Sequence, residues 1–222
     1  MIASAPKPRR FITLEGGEGA GKSTQARLLA ERLRGTGADV VVTREPGGAP
    51  FAERLRKAIL AAGSMRPGAL AEALAFYAAR ADHLEQTIKP ALARGAWVVC
   101  DRFNDSTRVY QGAAGGLSVD VLRQLDTIVV GACRPTVTLV LHVDPSVGFT
   151  RVAERRGTVA DTSTLADMYE AEDRAFHDRL AEGFRQLTRD EPERCKLIDA
   201  RGDVDAVASA AWVAVVNAFN LA

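Results

Sequence analysis

The chain has 222 residues, 47% apolar and 26% charged, with a formal net charge of +1. That length can bury a full core, and the near-neutral balance excludes a general basic field for nucleic acid or a membrane surface. There is no apolar signal core and no run of eighteen apolar residues, and Cys100, Cys133 and Cys195 lack metal-ligand spacing. A cytoplasmic protein with reduced, buried cysteines is expected.

Residues 1–9 read as a flexible tail and 10–222 as one domain. Strand-like runs occur at 10–15, 39–43, 97–101, 137–143 and 195–199. Helical patterns occupy 22–34, 50–62, 69–94, 119–131, 146–156, 164–187 and 204–219. This alternation predicts an α/β fold, a five-stranded parallel sheet flanked by helices, with ligands beyond the carboxyl ends of the strands.

At the end of the first strand, Gly16-Gly17-Glu18-Gly19-Ala20-Gly21-Lys22-Ser23 fits the phosphate-loop pattern G-x-x-x-x-G-K-[ST], with Thr24 continuing into the helix. Glycines allow a turn whose N–H groups point inward, and the helix adds its positive end, so this stretch cradles a polyphosphate. Lys22 is placed to bridge the β and γ phosphates. Ser23 stands at the magnesium position, which implies a magnesium complex of ATP or GTP.

Two other strand ends carry charge or glycine. Thr43-Arg44-Glu45-Pro46-Gly47-Gly48 brings a cation to a turn, although it also reads as an ordinary turn. Asp101-Arg102 opens a richer segment with Thr107, Tyr110 and Gln111. Asp101 can hold magnesium through water, and Arg102 can neutralise phosphate oxygens; a structural ion pair is the alternative. Phe76 and Arg80, four residues apart on a helix, form either a stacking and hydrogen-bonding pair for a base or a core phenylalanine beside a solvated arginine. Arg151, Arg155 and Arg156 sit at a helix end that is either solvated or the start of a phosphate-clamping lid at about 151–168. His83, His142 and His177 have no partner at catalytic spacing and receive no catalytic role.

In this order and spacing, the four motifs resemble the bacterial thymidylate kinases over residues 10–205. The resemblance implies a three-layer P-loop fold of the nucleoside monophosphate kinase type, a homodimer, and transfer of the γ-phosphoryl group of ATP to dTMP with Mg2+. It implies that Phe76 stacks on thymine and Arg80 hydrogen-bonds its carbonyl edge, with Thr107, Tyr110 and Gln111 lining base and sugar. Glu18 matches the position facing the sugar 3′-hydroxyl, and Arg44 and Arg102 match cations around the acceptor phosphate. Gly19 stands where one branch of the family has a basic residue, so the resemblance assigns the catalytic cation to the lid, from among Arg151, Arg155 and Arg156. Asp167-Met168-Tyr169-Glu170 stands where relatives usually read Asp-Arg-Phe-Glu, one arginine fewer. Rival readings are a kinase for another small acceptor and a GTP-dependent switch, for which an Asn-Lys-x-Asp guanine motif is missing.

Overall fold

Five short apolar runs, each ending in a polar residue or a glycine turn, form the parallel sheet that anchors the molecule. In the computed structural model, which describes residues 9–61, 67–156, 168–169 and 172–221, they are β1 (Phe11–Glu15), β2 (Val40–Arg44), β3 (Trp97–Asp101), β4 (Val137–His142) and β5 (Cys195–Asp199). Their order is β2-β3-β1-β4-β5. Every pairing is parallel, with Leu14 beside both Asp101 and Leu139. The central strand β1 is buried along its whole length, as a strand covered on both faces must be.

The two-residue period of the strands sorts side chains between two cores. Ile12, Leu14, Leu139 and Leu141 face α1 (Lys22–Gly35) and α9 (Val204–Phe219), meeting Leu29, Leu33 and Val215. Phe11, Val98 and Cys100 face the opposite way, toward Tyr77 on α3 (Ala69–His83). Val140 packs on that side against Phe176, Leu180 and Phe184 of α8 (Arg174–Asp190). The result is the expected three-layer arrangement. Around it lie α2 (Pro50–Ala61), α4 (Lys89–Ala93), α5 (Asn104–Thr107), α6 (Val119–Leu125) and α7 (Pro145–Arg156).

Some boundaries differ from the sequence reading. The pattern at 69–94 is interrupted by a π-helical stretch, Leu84–Ile88, just ahead of Pro90, which has no N–H to give the carbonyl one turn back. The single helix expected at 164–187 is corrected: Asp173 is extended and its carboxylate accepts from Phe176 N–H, so α8 starts afresh at Arg174. A helical turn at Asn104–Thr107, running into a π-helical stretch at Arg108–Ala114, went unseen because its polar residues face a buried site rather than solvent. Arg9 donates to the Ala132 carbonyl, and its own carbonyl accepts from Phe11 N–H. Residues 1–8 lie outside the described residues. The three cysteines are buried and unpaired, as expected.

Candidate active site

The carboxyl ends of β1, β2 and β3 converge on one cleft. On its donor side, the loop after β1 is shaped by backbone approach. Gly16 has φ +138, and a Cβ there would stand 2.3 Å from the Leu141 carbonyl oxygen. Gly19 has φ +68, and a Cβ there would stand 2.0 Å from the Gly148 oxygen on α7. Only glycine fits both, so the basic residue found at position 19 in one branch has no room here. Lys22 turns back onto the loop, donating to the carbonyls of Gly16 (3.1 Å) and Gly17 (2.7 Å). Burial, reinforced by Arg102, lowers its ammonium pKa to about 8.

The Ser23 hydroxyl donates to Asp101 Oδ2, joining the first residues of α1 to the end of β3. Asp101 Oδ1 is buried with no hydrogen-bond partner among the described residues. Thr24 follows in the first turn of α1 and is exposed.

Arg102 joins the two halves of the cleft. Its φ of +69 is rare for a side-chain-bearing residue and costs about 1–2 kcal/mol. The conformation is fixed by its N–H to Leu14 O (2.9 Å) and by Phe103 N–H to Glu15 Oε1 (2.8 Å). The guanidinium reaches Gly16 O and Ser106 Oγ, each at 3.2 Å, and Glu18 Oε1 at 2.7 Å. Glu18 also accepts from the Tyr110 hydroxyl at 2.8 Å, and the guanidinium lies 5.1 Å from the Tyr110 ring centre. Burial works against the Glu18 charge, but Arg102 and Lys22 outweigh it and hold its carboxyl below the usual range.

On the acceptor side a cleft is lined by Phe76, Arg80, Arg102, Thr107, Tyr110 and Gln111, with Glu45 and Tyr169 among the rest of its walls. Every one of these sequence-predicted residues therefore reaches the same cleft. Arg80 is not the solvated arginine of the alternative reading: it is 2% exposed and bonds Glu45 Oε2 through Nε at 2.7 Å. Its Nη2 donates to Thr107 Oγ1 at 3.1 Å. Gln111 donates to Glu72 (3.0 Å) and to the Tyr169 hydroxyl (2.8 Å).

The other predicted residues are less concentrated. Arg44 is exposed at the end of β2 and pairs with Glu53 rather than with Glu45. Arg151 donates to the Ala200 carbonyl at 3.0 Å, beside β5 rather than over the phosphate loop. The side chains of Arg155 and Arg156, and residues 157–167 of the expected lid, lie outside the described residues.

Sequence reasoning missed several contributors. Glu45 was read as part of a turn but is a buried partner of Arg80 and of His83, whose Nδ1 is 3.0 Å away. The helical spacing of Phe76, Arg80 and His83, at intervals of four and three, was the available signal. Arg56 is half-buried and donates to the carbonyl of Pro46, a residue of the cleft wall, at 2.9 Å, its guanidinium pKa lowered by burial and by Arg44. Tyr169, in the stretch noted only for its absent arginine, packs against Tyr110 with ring centres 4.7 Å apart.

Comparison with known proteins agrees with this geometry. The sequence model of the family described as "Thymidylate kinase" matches residues 14–211. A thymidylate kinase of Rhodopseudomonas palustris (strain TIE-1) is 52% identical over 207 residues, 93% of this chain and 88% of that protein. One from Nitrobacter hamburgensis is 47% identical, covering 97% of this chain and 93% of its own. The crystal structure of thymidylate kinase from Ehrlichia chaffeensis superposes with a TM-score of 0.75 at 32% identity, covering 95% of this chain and 99% of that one. The chain belongs to the thymidylate kinase family, phosphotransferases that use ATP to phosphorylate dTMP.

Proposed function

We propose that this chain carries the γ-phosphoryl group of ATP to dTMP by alignment and charge neutralisation, with no general base. The acceptor is a phosphate oxygen already ionised at neutral pH, so no proton must be removed from it. The observation that carries the reading is the Arg102 bridge: one guanidinium touches the phosphate loop at Gly16, Glu18 beside it, and Ser106 on the acceptor side. A cation so held neutralises charge between donor and acceptor without reorganising.

Gly16, Gly17, Glu18, Gly19, Ala20 and Gly21, with Lys22, Ser23 and Thr24, bind the ATP phosphates. Among the described residues Lys22 bonds only loop carbonyls, contacts that phosphate oxygens would replace. Phe76 stacks on thymine, Arg80 bonds its carbonyl edge, and Thr107, Tyr110 and Gln111 enclose base and sugar. Glu18 faces the 3′-hydroxyl, and Arg44 joins Arg102 around the acceptor phosphate. The lid arginines, Arg151, Arg155 and Arg156, supply a further cation; the Gly19–Gly148 contact favours this, because it starts α7 against the phosphate loop.

Ser23 and Asp101 fit Mg2+: they are hard oxygen donors side by side, and Asp101 Oδ1 is buried without a partner among the described residues. When bound, the ion would screen the charge of the triphosphate. The protein works in the cytoplasm as a homodimer. Among the described residues no helix is long and apolar enough to cross a membrane. Leu70 and Leu74, one turn apart on α3 and each 49% exposed, offer an apolar face for a second copy.

The test is ADP release from magnesium and ATP with dTMP, dUMP, dCMP, AMP or no acceptor at equal concentration. Turnover strongest with dTMP is expected. Acceptor-independent hydrolysis would sink the kinase reading in favour of a nucleotide switch.

A further inference from the structure

A chain of polar groups, buried except at the half-buried Thr43, runs behind the base-recognising arginine. Thr43 Oγ1 lies 2.7 Å from His83 Nε2, His83 Nδ1 lies 3.0 Å from Glu45 Oε1, and Glu45 Oε2 accepts from Arg80 Nε at 2.7 Å. His83 is 0% exposed, Arg80 2% and Glu45 6%. The backbone is shaped to admit the imidazole: a Cβ on Gly48 would stand 2.4 Å from both His83 Nε2 and Thr43 Oγ1.

The proton positions follow from the charges. Glu45, ion-paired with Arg80, can only accept, so His83 Nδ1 carries the hydrogen it donates. In the neutral ring Nε2 is then an acceptor, and the Thr43 hydroxyl donates to it. Both Glu45 oxygens are thereby committed. Burial works against the Arg80 charge, but Glu45 outweighs it and keeps the guanidinium pKa above its ordinary value. Glu45 takes Nε of Arg80 and Thr107 takes Nη2, while Nη1 is buried with no partner among the described residues, in a side chain lining the cleft with Phe76.

We propose that His83 is a positioning residue for base selection: by fixing Glu45 it fixes the rotation of Arg80, so that the one uncommitted guanidinium nitrogen meets the base edge. This rests on the reading of Phe76 and Arg80 as the residues that hold the base. A guanidinium only donates, so held in this orientation it pairs with the 4-carbonyl of thymine and opposes the 4-amino group of cytosine. The cost of removing the relay falls on binding and selectivity, because the base is distant from the transferring phosphoryl group.

The experiment compares steady-state kinetics with dTMP and dCMP for the wild type, His83→Gln, His83→Asn, Thr43→Val and Arg80→Lys, each with its melting temperature and its KM for ATP. Glutamine reaches the Nε2 position but leaves Glu45 Oε1 without its partner. Asparagine places an N–H where Nδ1 stands. For His83→Gln the KM for dTMP rises about tenfold, kcat stays within about twofold, and the preference for dTMP over dCMP falls by a similar factor. His83→Asn recovers most of both. Thr43→Val, at the far end of the relay, moves KM about two- to threefold in the same direction. An unchanged KM and preference in His83→Gln overturns the proposal, as does failure of asparagine to do better than glutamine. If His83→Gln does not fold, Thr43→Val decides, and an unaltered preference there overturns it. Arg80→Lys separates the two levels: selectivity unmoved in Arg80→Lys removes the reading of Arg80 itself, whereas selectivity lost in Arg80→Lys but retained in His83→Gln removes the relay alone.

Discussion

The two halves of the cleft are made of different material. The donor half is backbone: Gly16, Gly19 and Gly21 lie within six residues, all with positive φ, and two approach other main-chain oxygens too closely for any Cβ. The acceptor half is side chain: Phe76 and Arg80 come from α3, Glu45 from the turn after β2, and Arg102 and Tyr110 from the segment after β3, with Arg80 held by Glu45 and Tyr110 by Glu18. A backbone site has to be contiguous in sequence, because successive N–H groups build it. A side-chain site is assembled by the sheet, and its tolerances are set by ion pairs rather than by turns.

Arg102 belongs to both halves, so its removal has the largest effect. Arg102→Ala deletes the donors to Gly16, Glu18 and Ser106 together. Turnover should fall on the order of a hundredfold or more, the usual result of losing one preorganised electrostatic group. Glu18 and Tyr110 remain bonded to one another, so the fold should persist. Normal kcat in a folded Arg102→Ala variant would show that the two halves act independently.

The halves should also break separately. A Cβ at Gly148 would stand 2.3 Å from the Glu18 carbonyl oxygen, so Gly148→Ala forces α7 away from the phosphate loop without touching Phe76 or Arg80. ATP binding is expected to weaken about tenfold, with dTMP binding within about twofold of wild type. Titration calorimetry with each nucleotide alone checks this. Equal weakening of both would mean that the backbone half also shapes the acceptor half.

The same division explains what the sequence could disclose. Strands β3 and β5 were readable to the residue, because short apolar runs end at Asp101 and Asp199, and the phosphate loop was readable because its physics is local. Phe76 and Arg80 were readable only as a spacing, and alone that spacing favoured a solvated arginine. What buries Arg80 is Glu45, thirty-five residues away, brought beside it by the turn after β2. Arg44, adjacent to Glu45 in sequence, faces outward to Glu53, and no local pattern distinguishes the two partners. Asp173 did carry a local signal, a capping aspartate ahead of Phe176, but helical periodicity on both sides masked it.

The smallest effect concerns the polar floor beneath both halves. Glu15 ends β1, is 0% exposed, and accepts from Phe103 N–H and from Ser106 Oγ at 2.6 Å, thereby supporting the Arg102 backbone. Burial, followed by the charge of Asp105, pushes its carboxyl up to about 7, against the opposing pull of Ser106, Arg102 and the Phe103 N–H. The raised value fixes the sign. Below about pH 4.5 Glu15 is protonated in both folded and unfolded chains, and its full contribution to stability is present. Between about 4.5 and 7 the unfolded chain releases the proton while the folded one keeps it, so that contribution is lost as pH rises. Glu15→Gln stays neutral throughout. Its stability relative to wild type should therefore climb by about 1 kcal/mol between pH 5 and 6, measured by urea unfolding at each pH. A relative stability that falls over that range would mean that Glu15 is held ionised by Arg102, joining the floor to the cation above it rather than to the apolar layer around it.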